Sequence, residues 1–308
     1  MHKKIIPAIA MALSLYACKK EVTENKLPIP AALADIQSSS NPDTVYGSDW
    51  SGIVQTVRVT GRSADYDTSN VVDVDVPDDY VLVGGGTVGV YLWMQYTGYI
   101  TAAIPDANLR TWHTASQSHN VPYAHQLNSY AIGLKIQGVS REELISHLQV
   151  LSDTSSGSSL YAGIQIDTSR YRLIGGGGKV TSDNNGLLLS STFPYEIYWR
   201  VTPRAFRGYS NGQSVATAIG ISKEFLALKG LETDEESGES WINLTTILGE
   251  IPIDSSWAVT AAGAYSEYLS GIMPSTHGMY AAGNDPLNSV DPYMYTYMLR
   301  MRKKLPVN

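Results

Sequence analysis

The chain has 308 residues, a formal net charge of −7, 43% hydrophobic residues and 17% charged ones. An acidic balance with no basic stripe excludes nucleic acid and anionic bilayer surfaces as partners held by charge. A single cysteine excludes a disulfide framework and a cysteine metal site, so stability has to come from buried apolar surface. Aromatic usage is lopsided, with 20 Tyr and 6 Trp against 3 Phe. Tyr joins an apolar ring to a polar tip, which suits a recognition surface and equally suits partly exposed strands.

In chain order, His2, Lys3 and Lys4 give a basic start, Ile5 to Leu15 an apolar core, and Leu15-Tyr16-Ala17 a small-residue cleavage site before the lone Cys18. This is the pattern of a secretory signal peptide spanning residues 1–17. It resembles the bacterial lipoprotein type, which implies that Cys18 is lipidated and becomes the first mature residue. Two or more acyl chains, as the resemblance implies, hold a protein stably on a membrane. Loss of Lys3 and Lys4 takes the mature net charge to −9. Lys19-Lys20-Glu21 is similar to the export tag of outer-membrane lipoproteins in Bacteroidota, which implies an outer-membrane, cell-surface address. Residues 18–48 read as a lipidated tether, because Pro, Ser, Asn and Ala dominate without a hydrophobic period. No later run reaches the roughly 18 apolar residues that a membrane helix needs.

The remainder repeats three times with a period of about 85 to 90 residues, longer than that of solenoids. The units span 49–139, 140–225 and 226–308. Their heads are Tyr80-Val-Leu-Val-Gly-Gly-Gly86, Tyr171-Arg-Leu-Ile-Gly-Gly-Gly177 and Trp257-Ala-Val-Thr-Ala-Ala-Gly263. Their middles carry Ile104-Pro105 and Trp112, Phe193-Pro194 and Trp199, Met273-Pro274 and Met279. Their tails are Tyr130 to Ile136, Thr217 to Ile221 and Tyr295 to Met301, and Val54 to Gly61 reads as a further tail copy at the front.

Period-two alternation, β-branched and aromatic residues, and frequent Gly, Pro, Asn and Ser predict an all-β protein of three tandem antiparallel β-sandwich-like repeats. Five or six strands per unit would make two layers. The glycine triplets are expected at strand ends, where close backbone approach or a bulge needs them. Ser140-Arg-Glu-Glu143 is a capping-box sequence and predicts a short linking helix with Leu144, Leu148 and Leu151 on one face. The matching link, Ser222 to Leu231, is compatible with helix or loop. Ser152 to Ser159 and Thr233 to Ser240 are expected as polar surface loops.

The order aromatic-x-Leu-x-Gly-Gly-Gly, Pro, Trp112-x-x-Ala115-Ser116-x-x-His119 and Tyr130-Ala-Ile-Gly-Leu resembles tandem β-repeats of secreted and lipidated Bacteroidota proteins. The resemblance implies a cell-surface β-repeat protein without an assigned reaction. In that pattern Lys and Asp separate the Ser from the His, whereas this chain has Gln117 and Ser118 there.

Catalytic motifs fail on context. Gly208-Tyr-Ser-Asn-Gly212 matches a nucleophile elbow, but a strand pattern follows it where the elbow needs a helix. Gly84-Gly-Gly86-Thr-Val-Gly89 satisfies a dinucleotide fingerprint with the same defect, and Gly175 to Lys179 has Val180 where a phosphate loop needs Ser or Thr. His113, His119 and His125 recur at six-residue steps, which on an extended chain spaces them roughly 20 Å apart, too far for one metal ion. Asp65, Asp67, Asp73, Asp75, Asp78 and Asp79 read as a solvated face, with a calcium site as the alternative. Trp112 and Trp199 hold equivalent places and read as core. That leaves Trp93, Tyr96, Tyr99, Tyr123, Tyr195, Tyr209 and Trp241 as candidate ligand-binding aromatics.

The expectation is a non-enzymatic, lipid-anchored surface protein for binding or adhesion, with a glycan or a surface protein as partner and neither cofactor nor metal. The alternatives are a polysaccharide hydrolase with carboxylates gathered between units, and a structural coat component.

Overall fold

The computed structural model describes residues 43–90, 98–118, 122–156, 160–182, 186–205, 211–241, 246–266, 269–275, 278–284 and 293–306. All of them belong to one compact body, Ser39–Asn308. The fold is all-β, with nineteen strands and two short helices among the described residues.

A lead strand β1 (Asp43–Ser48) precedes three units of six strands each. Unit one holds β2 (Val54–Arg62), β3 (Ser69–Asp75), β4 (Val81–Val90), β5 (Tyr99–Pro105), β6 (Thr111–Gln117) and β7 (Gln126–Ile136). Helix α1 (Arg141–Ser146) leads to unit two: β8 (Leu148–Ser156), β9 (Ala162–Gln165), β10 (Tyr171–Ser182), β11 (Leu187–Tyr195), β12 (Tyr198–Ala205) and β13 (Gly212–Ser222). Helix α2 (Lys223–Lys229) leads to unit three: β14 (Leu231–Trp241), β15 (Thr246–Pro252), β16 (Ala258–Ser266), β17 (Leu269–Ser275), β18 (Gly278–Asn284) and β19 (Tyr293–Lys303).

Each unit is two layers, as its alternating pattern demands, but neither layer stops at the unit boundary. The first sheet runs β1-β2-β7-β4-β17-β18-β15, the second β3-β6-β5-β10-β13-β8 and the third β14-β19-β16-β11-β12-β9. Every unit therefore gives three strands to one sheet and three to the next, and unit three returns to unit one. The tandem repeats are interlocked around a pseudo-threefold axis rather than strung as separate sandwiches. The joints between units are short and equivalent: Ile272 pairs with Thr87, Gly178 with Ala103, and Thr192 with Ala264.

The glycine triplets lie in mid-strand at this axis, not at strand ends. A bulge interrupts the register between Leu82 and Gly84, Leu173 and Gly175, and Val259 and Ala261. A Cβ on Gly86 would meet Pro274 at 2.6 Å, one on Gly177 would meet Pro105 at 2.9 Å, and one on Gly263 would meet Pro194 at 2.8 Å. The middle Pro of each unit thus packs on the third glycine of the next. Real Cβ atoms do not sit that close, so only glycine lets the three backbones approach.

Four further expectations change. Val54 to Gly61 is β2, the first strand of unit one and the counterpart of β8 and β14. The additional strand is β1, in a segment that composition assigns to the tether; it pairs along β2 from Asp43↔Thr60 to Ser48↔Gln55. The segments 152–159 and 233–240 fall largely on β8 and β14, the edge strands of the second and third sheets, where solvent on one side tolerates Ser, Asp and Glu. Helix α1 forms with Ser140 as N-cap, its side chain accepting from the Glu143 N–H, but it ends at Ser146 and places Leu148 and Leu151 on β8. Helix α2 is likewise capped by Ser222 and closed by Gly230 in the left-handed conformation.

Candidate functional site: an aromatic face on the third sheet

On β19 the side chains alternate. Met294, Thr296 and Met298 are buried, while Tyr293, Tyr295 and Tyr297 are half-buried on the opposite face. Register sets Tyr265 of β16 across from Tyr295. Phe193 of β11 stacks on Tyr297 at 4.8 Å between centroids and meets the edge of Tyr265 at 5.8 Å. Tyr265 stacks on Tyr293 at 5.7 Å, and their hydroxyls lie 3.1 Å apart. Beyond Phe193, Tyr195 stands edge-on at 6.4 Å, and Arg200 of β12 lies over Tyr195 at 4.0 Å and Tyr198 at 5.5 Å. Units two and three thus build one aromatic surface from β11, β12, β16 and β19.

The other two sheets do not carry it. Register makes Val88, Asn128, Tyr130 and Met273 on the first sheet, and Lys179, Val215, Thr217 and Ile104 on the second, the counterparts of Tyr265, Tyr295, Tyr297 and Phe193. Where the units agree in core residues, they diverge here.

Polar groups edge the surface. Burial raises the Glu235 carboxyl, aided by the nearby Glu196 and Asp234 charges. Burial pushes the Tyr297 phenol up to about 12, with Glu235 adding to the shift, so this hydroxyl stays protonated. Glu196 occupies the β11–β12 turn at φ 56°, in the left-handed region. On the other face of β19, toward α2, Arg300 pairs with Asp234 at 2.6 Å and with Glu236, Arg302 pairs with Glu232 at 2.7 Å, and both cations lie over Trp257.

Of the aromatics that the sequence nominates, the structure brings Tyr195 into this surface, 39% exposed. Trp241 sits on β14 opposite Tyr293 in the register. Tyr123 is 52% exposed, on unit one, whose strands join the other two sheets. Tyr99 is buried at 6% beside Leu188 of unit two and is withdrawn as a ligand contact. Trp93, Tyr96, Tyr209 and Cys18 lie outside the described residues. Sequence reading passed over Tyr265, Tyr293, Tyr297 and Arg200. The signal for two of these was the Tyr-x-Tyr-x-Tyr alternation at 293–297, which the repeat comparison took, from Tyr295 on, as a strand tail.

The remaining motifs resolve structurally. The serine of the nucleophile-elbow pattern, Ser210, lies outside the described residues, as does His119. His113 bonds to Asp73 at 2.8 Å on an exposed face, where Asp75 also meets Thr111. Ser116 Oγ lies 2.8 Å from His125 Nε2, but both residues are buried and the other ring nitrogen faces the Tyr123 carbonyl rather than a carboxylate. Among the described residues no group of three metal-ligating side chains gathers. An open hollow of about 400 Å³ between the β5–β6 turn, α1 and β8 is lined by Arg141, which donates to the Tyr80, Asn108 and Leu109 carbonyls and so holds the turn in place. No protein-family model matches the chain, and no curated protein matches it at a significant level.

Proposed function

We propose that the protein is a lipid-anchored cell-surface binding protein, non-enzymatic, that takes a glycan on the aromatic face of the third sheet. The observation that carries this reading is the concentration of half-exposed tyrosines on one of three equivalent sheets. A residue needed only for folding keeps its bulky apolar character at all three equivalent positions, as Trp112, Trp199 and Met279 do. Tyrosine rings offer flat apolar area at low conformational cost, and their hydroxyls reach the polar edges of a sugar. The anchor at Cys18 rests on the residue pattern of the first eighteen positions, and the tether would carry this face away from the membrane.

The test is a glycan array probed with the full chain in detergent, followed by titration of the hits. Tyr265→Ala with Tyr295→Ala is expected to weaken binding at least about tenfold, the scale of losing central aromatic anchors. Tyr123→Ala should leave it unchanged. An empty array, or hits that survive the paired substitution, would count against the face as the site.

A further inference from the structure

We propose that the saccharide bound by this face carries an anionic group, a carboxylate or a sulfate ester, which Arg200 receives. This rests on the glycan reading and narrows it to acidic sugars. Arg200 projects from β12 amid the aromatic surface, with its guanidinium carbon 4.0 Å from the centre of the Tyr195 ring and 5.5 Å from that of Tyr198. Its Nε is buried and has no hydrogen-bond partner, and no carboxylate among the described residues pairs with it.

The contrast with Arg300 and Arg302, which also lie over an aromatic ring, is what gives this weight. Arg300 and Arg302 on the same sheet are neutralised by Asp234, Glu236 and Glu232. Arg58 has Asp43, and Arg110 has Asp78. An aromatic flank holds the guanidinium and leaves its two terminal N–H groups, rather than the buried Nε, to receive a planar carboxylate or two oxygens of a sulfate. Tyr297 stacks on Phe193, whose ring Tyr195 meets edge-on, so one continuous aromatic floor runs from Tyr297 to Arg200. With a chain charge of −7 the long-range field repels anions, so selectivity for an acidic sugar has to come from this local cation.

The experiment is calorimetric titration of the full chain with three oligosaccharides of equal length: an oligogalacturonate, a sulfated hexose oligomer and a neutral hexose oligomer. The expected result is binding of one acidic oligomer at least about tenfold tighter than the neutral one, the scale of a charge-assisted hydrogen bond. The preference should shrink as sodium chloride rises from about 50 to 500 mM. Arg200→Gln should abolish the preference while keeping neutral affinity within about twofold, and Arg200→Lys should restore only part of it. The better of the two acidic probes identifies the anion. The salt series on the unaltered chain tests the idea even if the Arg200 variants fold poorly. Equal affinity for acidic and neutral oligomers, or a preference that survives Arg200→Gln, overturns this inference and leaves the glycan reading standing. No binding of any saccharide overturns both.

Discussion

Trp112 lies flat against Gly85: a Cβ on that glycine would sit 2.5 Å from Trp112 Cε2, and the indole N–H donates to the Gly86 carbonyl at 3.2 Å. Unit two repeats the arrangement with Trp199 over Gly176, the Cβ there reaching 2.6 Å from Cε3. In unit three the same two places hold Met279 and Ala262, both buried. A bulky ring demands glycine, and a flexible thioether tolerates alanine. Gly85→Ala should therefore cost about 3 kcal/mol through overpacking. Adding Trp112→Met, which copies unit three, should recover part of that loss. Urea denaturation of the two single variants and the double variant reads the coupling, and strict additivity would refute it.

Ring closure suggests a second experiment. Units one and two, and two and three, are joined by helices, whereas unit three meets unit one without a covalent link. There the buried Asp49 carboxylate accepts from the Lys303 N–H at 2.6 Å and the Val54 N–H at 3.2 Å, and Trp50 Nε1 donates to the Lys303 carbonyl at 2.9 Å. Asp49→Ala leaves those two N–H groups without their acceptor and should cost about 2 kcal/mol. Hydrogen exchange should show the loss first in β19 and β2. Uniform destabilisation, with no local opening of these strands, would argue that Asp49 is not the closing contact.

Much of this architecture was legible in the chain because strand alternation and repeat register are local. The heads at Tyr80, Tyr171 and Trp257 align in the sheets residue for residue as they do in the sequence. What was hidden is non-local. The glycine triplets read as strand ends because their reason, the Pro274, Pro105 and Pro194 rings of another unit, is invisible within the unit. Strands β8 and β14 read as loops because Ser, Asp and Glu carry low strand propensity, which an edge position overrides. Tyr99 looked like a surface residue until Leu188 of unit two covered it. The aromatic face was the hardest to see, since Phe193 and Tyr265 meet only through the joint between β11 and β16.

Burial of His125 predicts a pH effect. The buried environment lowers its pKa from 6.5, so the fold holds the neutral ring while the unfolded chain takes up a proton more readily. Its contribution to stability is present above about pH 6.5 and falls as the pH drops below that toward the folded value. The urea midpoint of the unaltered chain should fall more steeply from pH 7 to pH 5 than that of His125→Gln, whatever the absolute stability of the variant. Parallel slopes would show that the ring does not titrate on unfolding.

Glu235 carries the opposite linkage. Its folded pKa is raised from 4.5, chiefly by desolvation and then by Glu196 and Asp234. The charged form is disfavoured in the fold, so the stability available below the unfolded value is lost as pH rises through the folded one. Glutamine keeps the shape and removes the charge. Glu235→Gln should therefore raise the urea midpoint at pH 8 and give no gain at pH 4, where the native carboxyl is already protonated in the fold. The same substitution bears on the aromatic face. Removing this negative charge should tighten binding of an acidic oligosaccharide at pH 8 and leave a neutral one unchanged. A variant equal to the unaltered chain at both pH values would mean that Glu235 is solvated well enough to ionise freely beside Tyr297.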